Sequence, residues 1–207
     1  MVLPLYLAMT VSEFRPVPCP ALLMFDGTEI PPPGVLPVIT DCFPLDGQAL
    51  QRICQGQEAL LLDFVRPPRT SLPEMLNGLP CPCGAPPGHT EKGPVFLPPA
   101  PLHVPLEQYF APYRSREIWL EAALQRQAIT VTAEGVTIAP PRPNRSFEGG
   151  FYDEKLCCRF IQEFTEDRAV FTLFDTPETL DKKLDHAAAL GVTRAVGLYQ
   201  ELGTIMG

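Results

Sequence analysis

Short apolar runs recur along the chain, each bounded by turn residues. They fall at Leu3–Ala8, Ala21–Phe25, Leu36–Thr40, Ala59–Phe64, Leu79–Cys83, Pro94–Leu97, Ile118–Leu124 and Arg194–Tyr199. Runs of this length with turn signals on both sides read as strands. Several are apolar at every position, as in Ala59-Leu60-Leu61-Leu62. That pattern fits parallel strands buried on both faces better than half-exposed antiparallel ones. Helical patterns fall between some of the runs, at Leu45–Gln55, Leu72–Gly78, Pro105–Ser115 and Pro177–Leu190. The last is the clearest. Asp175 or Thr176 supplies the N-cap, Pro177 sits near the first helical position, Leu180, Leu184 and Ala187 form the apolar stripe, and Gly191 stops it.

Alternation of strands and helices predicts a parallel sheet. Three connections are too proline-rich for a helix: Met9–Pro20, Asp26–Val35 and Gly84–Gly93. The expectation is an α/β fold, a reduced (β/α)8 TIM-like barrel that lacks some of its outer helices. Between the seventh and eighth runs the period changes to strict alternation. Ala128–Thr132 and Val136–Ala139 flank Glu134-Gly135, and Leu156–Phe164 and Ala169–Phe174 flank residues 165–168. Both read as hairpins. The predicted organisation is therefore a barrel from residues 1–126 and 176–207, with a small antiparallel α+β insertion at 127–175 before the last helix.

Composition sharpens this picture in two ways. The 207 residues are 45 % hydrophobic and 19 % charged, enough apolar material for a core. The 16 Lys+Arg against 24 Asp+Glu give a net charge of −8, which argues against a nucleic-acid groove. No apolar stretch reaches the length of a membrane-spanning helix, so no membrane partner is expected. The apolar start at Met1–Met9 lacks a preceding Lys or Arg and contains Pro4, which reads as a first strand rather than a signal peptide. The seven cysteines are odd in number and scattered, which predicts free thiols and a cytoplasmic setting.

The stretch from Phe151 to Gly203 resembles the end of the glycoside hydrolase family 18 barrel, in its spore-germination and cortex-lytic branch. The resemblance rests on Phe151-Tyr152-Asp153-Glu154-Lys155, the strand ending Val170-Phe171-Thr172-Leu173-Phe174-Asp175, Thr179-Leu180-Asp181-Lys182-Lys183-Leu184, Ala189-Leu190-Gly191-Val192 and Glu201-Leu202-Gly203. It implies the barrel with its insertion lobe, and a glycan as ligand. The family's catalytic strand reads Asp-x-x-Asp-x-Asp-x-Glu, and the matching strand here is Glu58-Ala59-Leu60-Leu61-Leu62-Asp63-Phe64-Val65. Asp63 falls on the last Asp and Phe64 on the usual aromatic. Leu61 replaces the middle Asp, and Val65 replaces the general-acid Glu. Tyr199-Gln200 stands where the family's pocket-floor Trp is usual. A valine has no proton to give, so the resemblance implies a catalytically degenerate barrel that binds a carbohydrate.

The candidate chemistry lies at strand ends. Asp63 shares strand parity with Leu61 and Val65 and would face a pocket, or would pair with Arg66 or Arg69. Glu121 lies inside Ile118-Trp119-Leu120-Glu121-Ala122. It would be either a strand carboxylate partnering Asp63 as the catalytic pair of a different hydrolase, or the wet face of a helix running Arg116–Arg126. Asp26 and Asp41 each end an apolar run and would add substrate contacts or cap turns. Phe64, Tyr199 and Glu201 complete the expected substrate-binding set. Cys81-Pro82-Cys83 with His89 has the wrong spacing for zinc, and no cofactor or metal is expected. His186 is expected on a helix surface, with no partner that sequence alone places beside it. A third reading is a scaffold or interaction protein without a ligand.

Overall fold

In a computed structural model, the described residues are 3–10, 21–25, 35–40, 47–64, 72–142, 147 and 149–203. Among them the chain is a mixed α/β structure with two sheets and few helices. The parallel strands are β1 (Leu5–Thr10), β2 (Ala21–Phe25), β3 (Leu36–Thr40), β4 (Leu60–Asp63), β5 (Cys83–Gly84), β6 (Val95–Leu97), β7 (Ile118–Ala122) and, late in the chain, β13 (Val192–Leu198). They form one 8-stranded sheet in the order β5-β4-β3-β2-β1-β13-β7-β6. Its two ends also touch. A parallel bridge joins Ala85 to Val95, with the Phe96 N–H donating to the Ala85 carbonyl at 2.8 Å.

Strands such as β3, β4 and β6 bury both faces because they are apolar at odd and even positions. On the outward face, Leu5, Leu7 and Met9 of β1 and Leu120 of β7 pack with Leu180, Leu184 and Ala187 of α4 (Pro177–Ala189). Further round, Leu60 and Leu62 of β4 pack with Leu50 and Ile53 of α1 (Gly47–Cys54), and with Leu76 of α2 (Leu72–Asn77). On the inward face, Ala8, Val38, Leu61, Phe96, Trp119 and Val196, from six different strands, meet in one cluster. Trp119 is fully buried. A Cβ on Gly84 would lie 2.3 Å from its ring, so β5 needs glycine there to let the indole in.

The remaining helices follow their local signals. A helix α3 (Leu106–Phe110) continues into a single 3-10 turn, Ala111–Tyr113. Thr176 caps α4 through a reciprocal hydrogen-bonded box with Thr179, and Pro177 takes the first turn. Gly191 follows it at φ +97°, a left-handed conformation that glycine adopts without a steric penalty. A short α5 (Tyr199–Leu202) comes after β13, so Pro177–Ala189 is not the last helix and Tyr199 opens a helix instead of ending a strand. No helix among the described residues is long and apolar enough to cross a membrane.

Between β7 and α4 lies a five-stranded antiparallel sheet in the order β10-β11-β12-β8-β9. Its members are β8 (Arg126–Thr132), β9 (Gly135–Ala139), β10 (Phe151–Asp153), β11 (Cys158–Phe164) and β12 (Arg168–Phe174). The two expected hairpins are β8–β9 and β11–β12, and they join through β12 against β8. The sheet is fastened to the rest by Leu173, Cys158 and Leu102 in a small shared core. It is also held by Asp175, which accepts from the Gln125 N–H at 3.2 Å and pairs with Lys183 at 2.7 Å, both side chains buried.

Candidate functional site

The parallel strands all carry their C-terminal ends to one edge of the sheet. There the inward face opens into a cavity of about 70 Å³ lined by Ala8, Val38, Leu61, Phe96, Val196 and Leu198, with Asp63 and Glu121 as its two carboxylates. Leu61 and Asp63 reach it together because residues two apart on a strand share a face. Asp63 ends β4 and is exposed, while Leu61 beneath it is fully buried.

Glu121 reaches the same cavity because residues 118–122 form a strand and not a helix. The helical alternative over Arg116–Arg126 is therefore set aside. The segment pairs in parallel with both β6 and β13, and those two ladders fix it as sheet. Ile118, Leu120 and Ala122 then face outward, and Trp119 and Glu121 face in. Glu121 is half-buried, and its carboxyl is pushed above the usual carboxylate range, first by burial and then by the negative charges of Asp63 and Glu201. The strand end thus brings together two carboxyl groups in unlike settings, one wet and one partly dry, over an apolar floor.

The other expected site residues are placed differently. Phe64 turns to the outward face, where it packs with Leu76 and sets its ring edge-on to His89 at 5.7 Å. The strand pleat dictates this, because Phe64 has the opposite parity to Asp63. Glu201 does not line the cavity. One of its oxygens accepts the Leu124 N–H at 2.7 Å, which ties α5 to the loop after β7. Tyr199 packs on the outer core, with its ring against Gly203, where a Cβ would lie 2.7 Å from it. Asp26, Asp41 and Val65 lie outside the described residues.

The thiol cluster of Cys54, Cys81 and Cys83 sits in the outer core beside Phe64. The Cys54 and Cys81 thiols share a hydrogen bond that, with burial, pushes Cys54 up; burial alone dominates at Cys83, also pushed up. Among the described residues no three His, Cys, Asp or Glu side chains are gathered as for a metal ion.

Sequence reasoning named Asp63 and Glu121 but missed Phe96, Val38 and Val196 as the walls between them. Their signal was present as apolar runs. What those runs lacked was any indication of which face turns inward. No family model matches the chain, and no curated protein matches it. Among solved structures, it is similar to the spore cortex-lytic enzyme SleL of Bacillus cereus, at 10% identity and a TM-score of 0.41 over 94% of this chain and 70% of that one. It is also similar to the spore cortex-lytic enzyme SleL of Bacillus megaterium QM B1551, at 11% identity and a TM-score of 0.39 over 99% of this chain and 73% of that one. A proposed sporulation-specific glycosylase, ydhD, from Bacillus subtilis is similar at 9% identity and a TM-score of 0.38, over 78% of this chain and 80% of that one.

Proposed function

We propose that the protein is a glycan-binding barrel related to glycoside hydrolase family 18, with residues 1–126 and 176–207 as the barrel and 127–175 as its lobe. The contact between the two ends of the sheet, at Ala85 and Val95, supports closure. So does the inward cluster shared by β1, β3, β4, β6, β7 and β13. The observation that carries the binding function is the cavity at the strand C-termini with Asp63 and Glu121 on its wall. Ligand sites of parallel α/β folds lie at that edge. Carboxylates there accept hydrogen bonds from sugar hydroxyls, and Phe96 offers an apolar face to a sugar ring. Val65 in the general-acid position supports a binding or accessory role over the family's own chemistry.

The test is titration with a chitooligosaccharide, followed by calorimetry. Wild-type protein binds, and both Asp63→Asn and the cavity-filling Leu61→Phe weaken binding at least tenfold. Equal heats from wild type and both variants, or no heat from any, would overturn the reading in favour of a scaffold without a ligand.

A second reading is supported by one observation, the raised carboxyl of Glu121 beside an exposed Asp63. Paired carboxyl groups whose settings push their protonation apart divide into acid and base roles. In that reading Glu121 donates the proton to the glycosidic oxygen, and Asp63 stabilises or attacks the anomeric carbon. Steady turnover of a chitooligosaccharide, abolished by either Asp63→Asn or Glu121→Gln, would select it over binding alone.

A further inference from the structure

Away from the strand-end cavity, three chemically able side chains meet where the lobe packs on α3 and α4. Asp153, at the end of β10, accepts the backbone N–H groups of Lys155 and Leu156 at 2.9 and 3.0 Å. That turn delivers Cys157 at φ 51°, the one non-glycine among the described residues in the left-handed region. Residues held in that region mark places where the surrounding structure enforces a geometry. Here the enforced geometry aims the Cys157 sulfur at α4, while Cys158 beside it enters the buried core.

The Cys157 Sγ lies 3.5 Å from His186 Nδ1. The other ring nitrogen, Nε2, lies 2.9 Å from a Glu107 carboxylate oxygen on α3. A carboxylate only accepts, so Nε2 carries the proton of the neutral imidazole. Nδ1 is then left as an acceptor facing the S–H. A third group orients the base, and the base faces a nucleophile, which is the general arrangement of an activated nucleophile. The sequence expectation of a partnerless surface histidine is corrected accordingly: His186 is 30 % exposed, but it bridges two elements.

We propose that Cys157, His186 and Glu107 form a nucleophilic triad that accepts an acyl group from a small activated ester. In the step, His186 Nδ1 takes the thiol proton as the sulfur attacks the carbonyl carbon. The S–C bond forms and the C–O ester bond breaks. The imidazolium then returns its proton to the departing oxygen, leaving an acylated Cys157 and a free alcohol. Size selection follows from burial: Cys157 is 4 % exposed, so only a short acyl chain reaches it.

The charge environment agrees with a base-assisted route. Burial pushes the Cys157 thiol up, against the pull of the Tyr152 phenol that hydrogen-bonds it and of Lys183; Glu107 and Asp175 add to the push. The thiol therefore holds its proton at rest, and reactivity depends on proton transfer to His186 Nδ1. General-base assistance of this kind contributes about 10²–10⁴-fold.

The experiment treats the full chain with p-nitrophenyl acetate and follows nitrophenolate release together with the mass of each cysteine peptide. One equivalent of nitrophenolate is expected, with the acetyl group on Cys157. The rate should fall at least tenfold in His186→Gln and by a smaller factor in Glu107→Gln, and Cys157→Ser should lose the stoichiometric burst. The wild-type rate should level off at a pH below the thiol range, because His186 Nδ1 takes the thiol proton during the attack. In His186→Gln it should climb only through the thiol range. Acetylation spread over other residues, or a wild-type profile that tracks only the thiol range, would overturn the proposal. That profile is read on wild-type protein, so it decides the matter even if a variant fails to fold.

Discussion

Glu121 is a residue whose cost can be measured. Its carboxyl titrates higher in the fold than in the open chain because the charged form is partly desolvated and faces Asp63 and Glu201. The sign follows from proton linkage. A carboxyl with a raised folded pKa binds more protons folded than unfolded, so stability falls as pH rises through that range. Glu121→Gln, which removes the charge and keeps the shape, is therefore expected to raise Tm at pH 7. The gain should shrink toward pH 4, as the wild-type carboxyl takes up its proton. Thermal melts of both proteins across that range check it. Gly84 gives the opposite case. A methyl group there meets the buried Trp119 ring at 2.3 Å, and overpacking of this kind costs about 1–3 kcal/mol. Gly84→Ala should lower the urea midpoint with an unchanged slope. At this scale the sequence told half the story. The parity of Asp63 was legible because strand period is two. The state of Glu121 was not, because Ile118-Trp119-Leu120 is apolar on both faces and fits a helix or a buried strand equally.

Among elements, α4 was the most legible, since cap, first-turn proline, apolar stripe and stop glycine all agree. Thr176→Ala removes the capping acceptor and should cost about 1 kcal/mol in chemical denaturation. The pair that α4 makes behind its cap weighs more. Asp175 and Lys183 are both buried, and removing one partner leaves a charge without its counterion, worth about 3–5 kcal/mol. Asp175→Asn should therefore destabilise the protein more than Thr176→Ala, a ranking that a single set of urea curves settles. The eight parallel strands and both hairpins were readable from run length and turn chemistry. β10 and α5 were not. Three residues at 151–153 and four at 199–202 are too short to show a period, and they exist through their partners, β11 in one case and the β1 and β13 surfaces in the other. The expected strand Leu79–Cys83 shrinks to Cys83–Gly84 because Pro80 and Pro82 cannot donate to a ladder.

For the molecule as a whole, a thiol count under denaturing conditions should find seven reactive groups, since the five described cysteines are all free and the total is odd. The way the parallel sheet is finished has a consequence for how the molecule breathes. Most neighbouring strands share ladders of several residues, whereas β5 has two residues, β6 has three, and between them there is one bridge at Ala85 and Val95. Little backbone bonding resists separation there, so thermal excursions should begin at that join while the β1–β2–β3 side stays shut. Deuterium should reach the Ala85 and Phe96 amides well before those of Val38 or Leu61. Phe96 also walls the strand-end cavity, so each such excursion would briefly widen the vestibule from the side. The thinnest join in the sheet would then double as a service hatch for whatever the cavity holds.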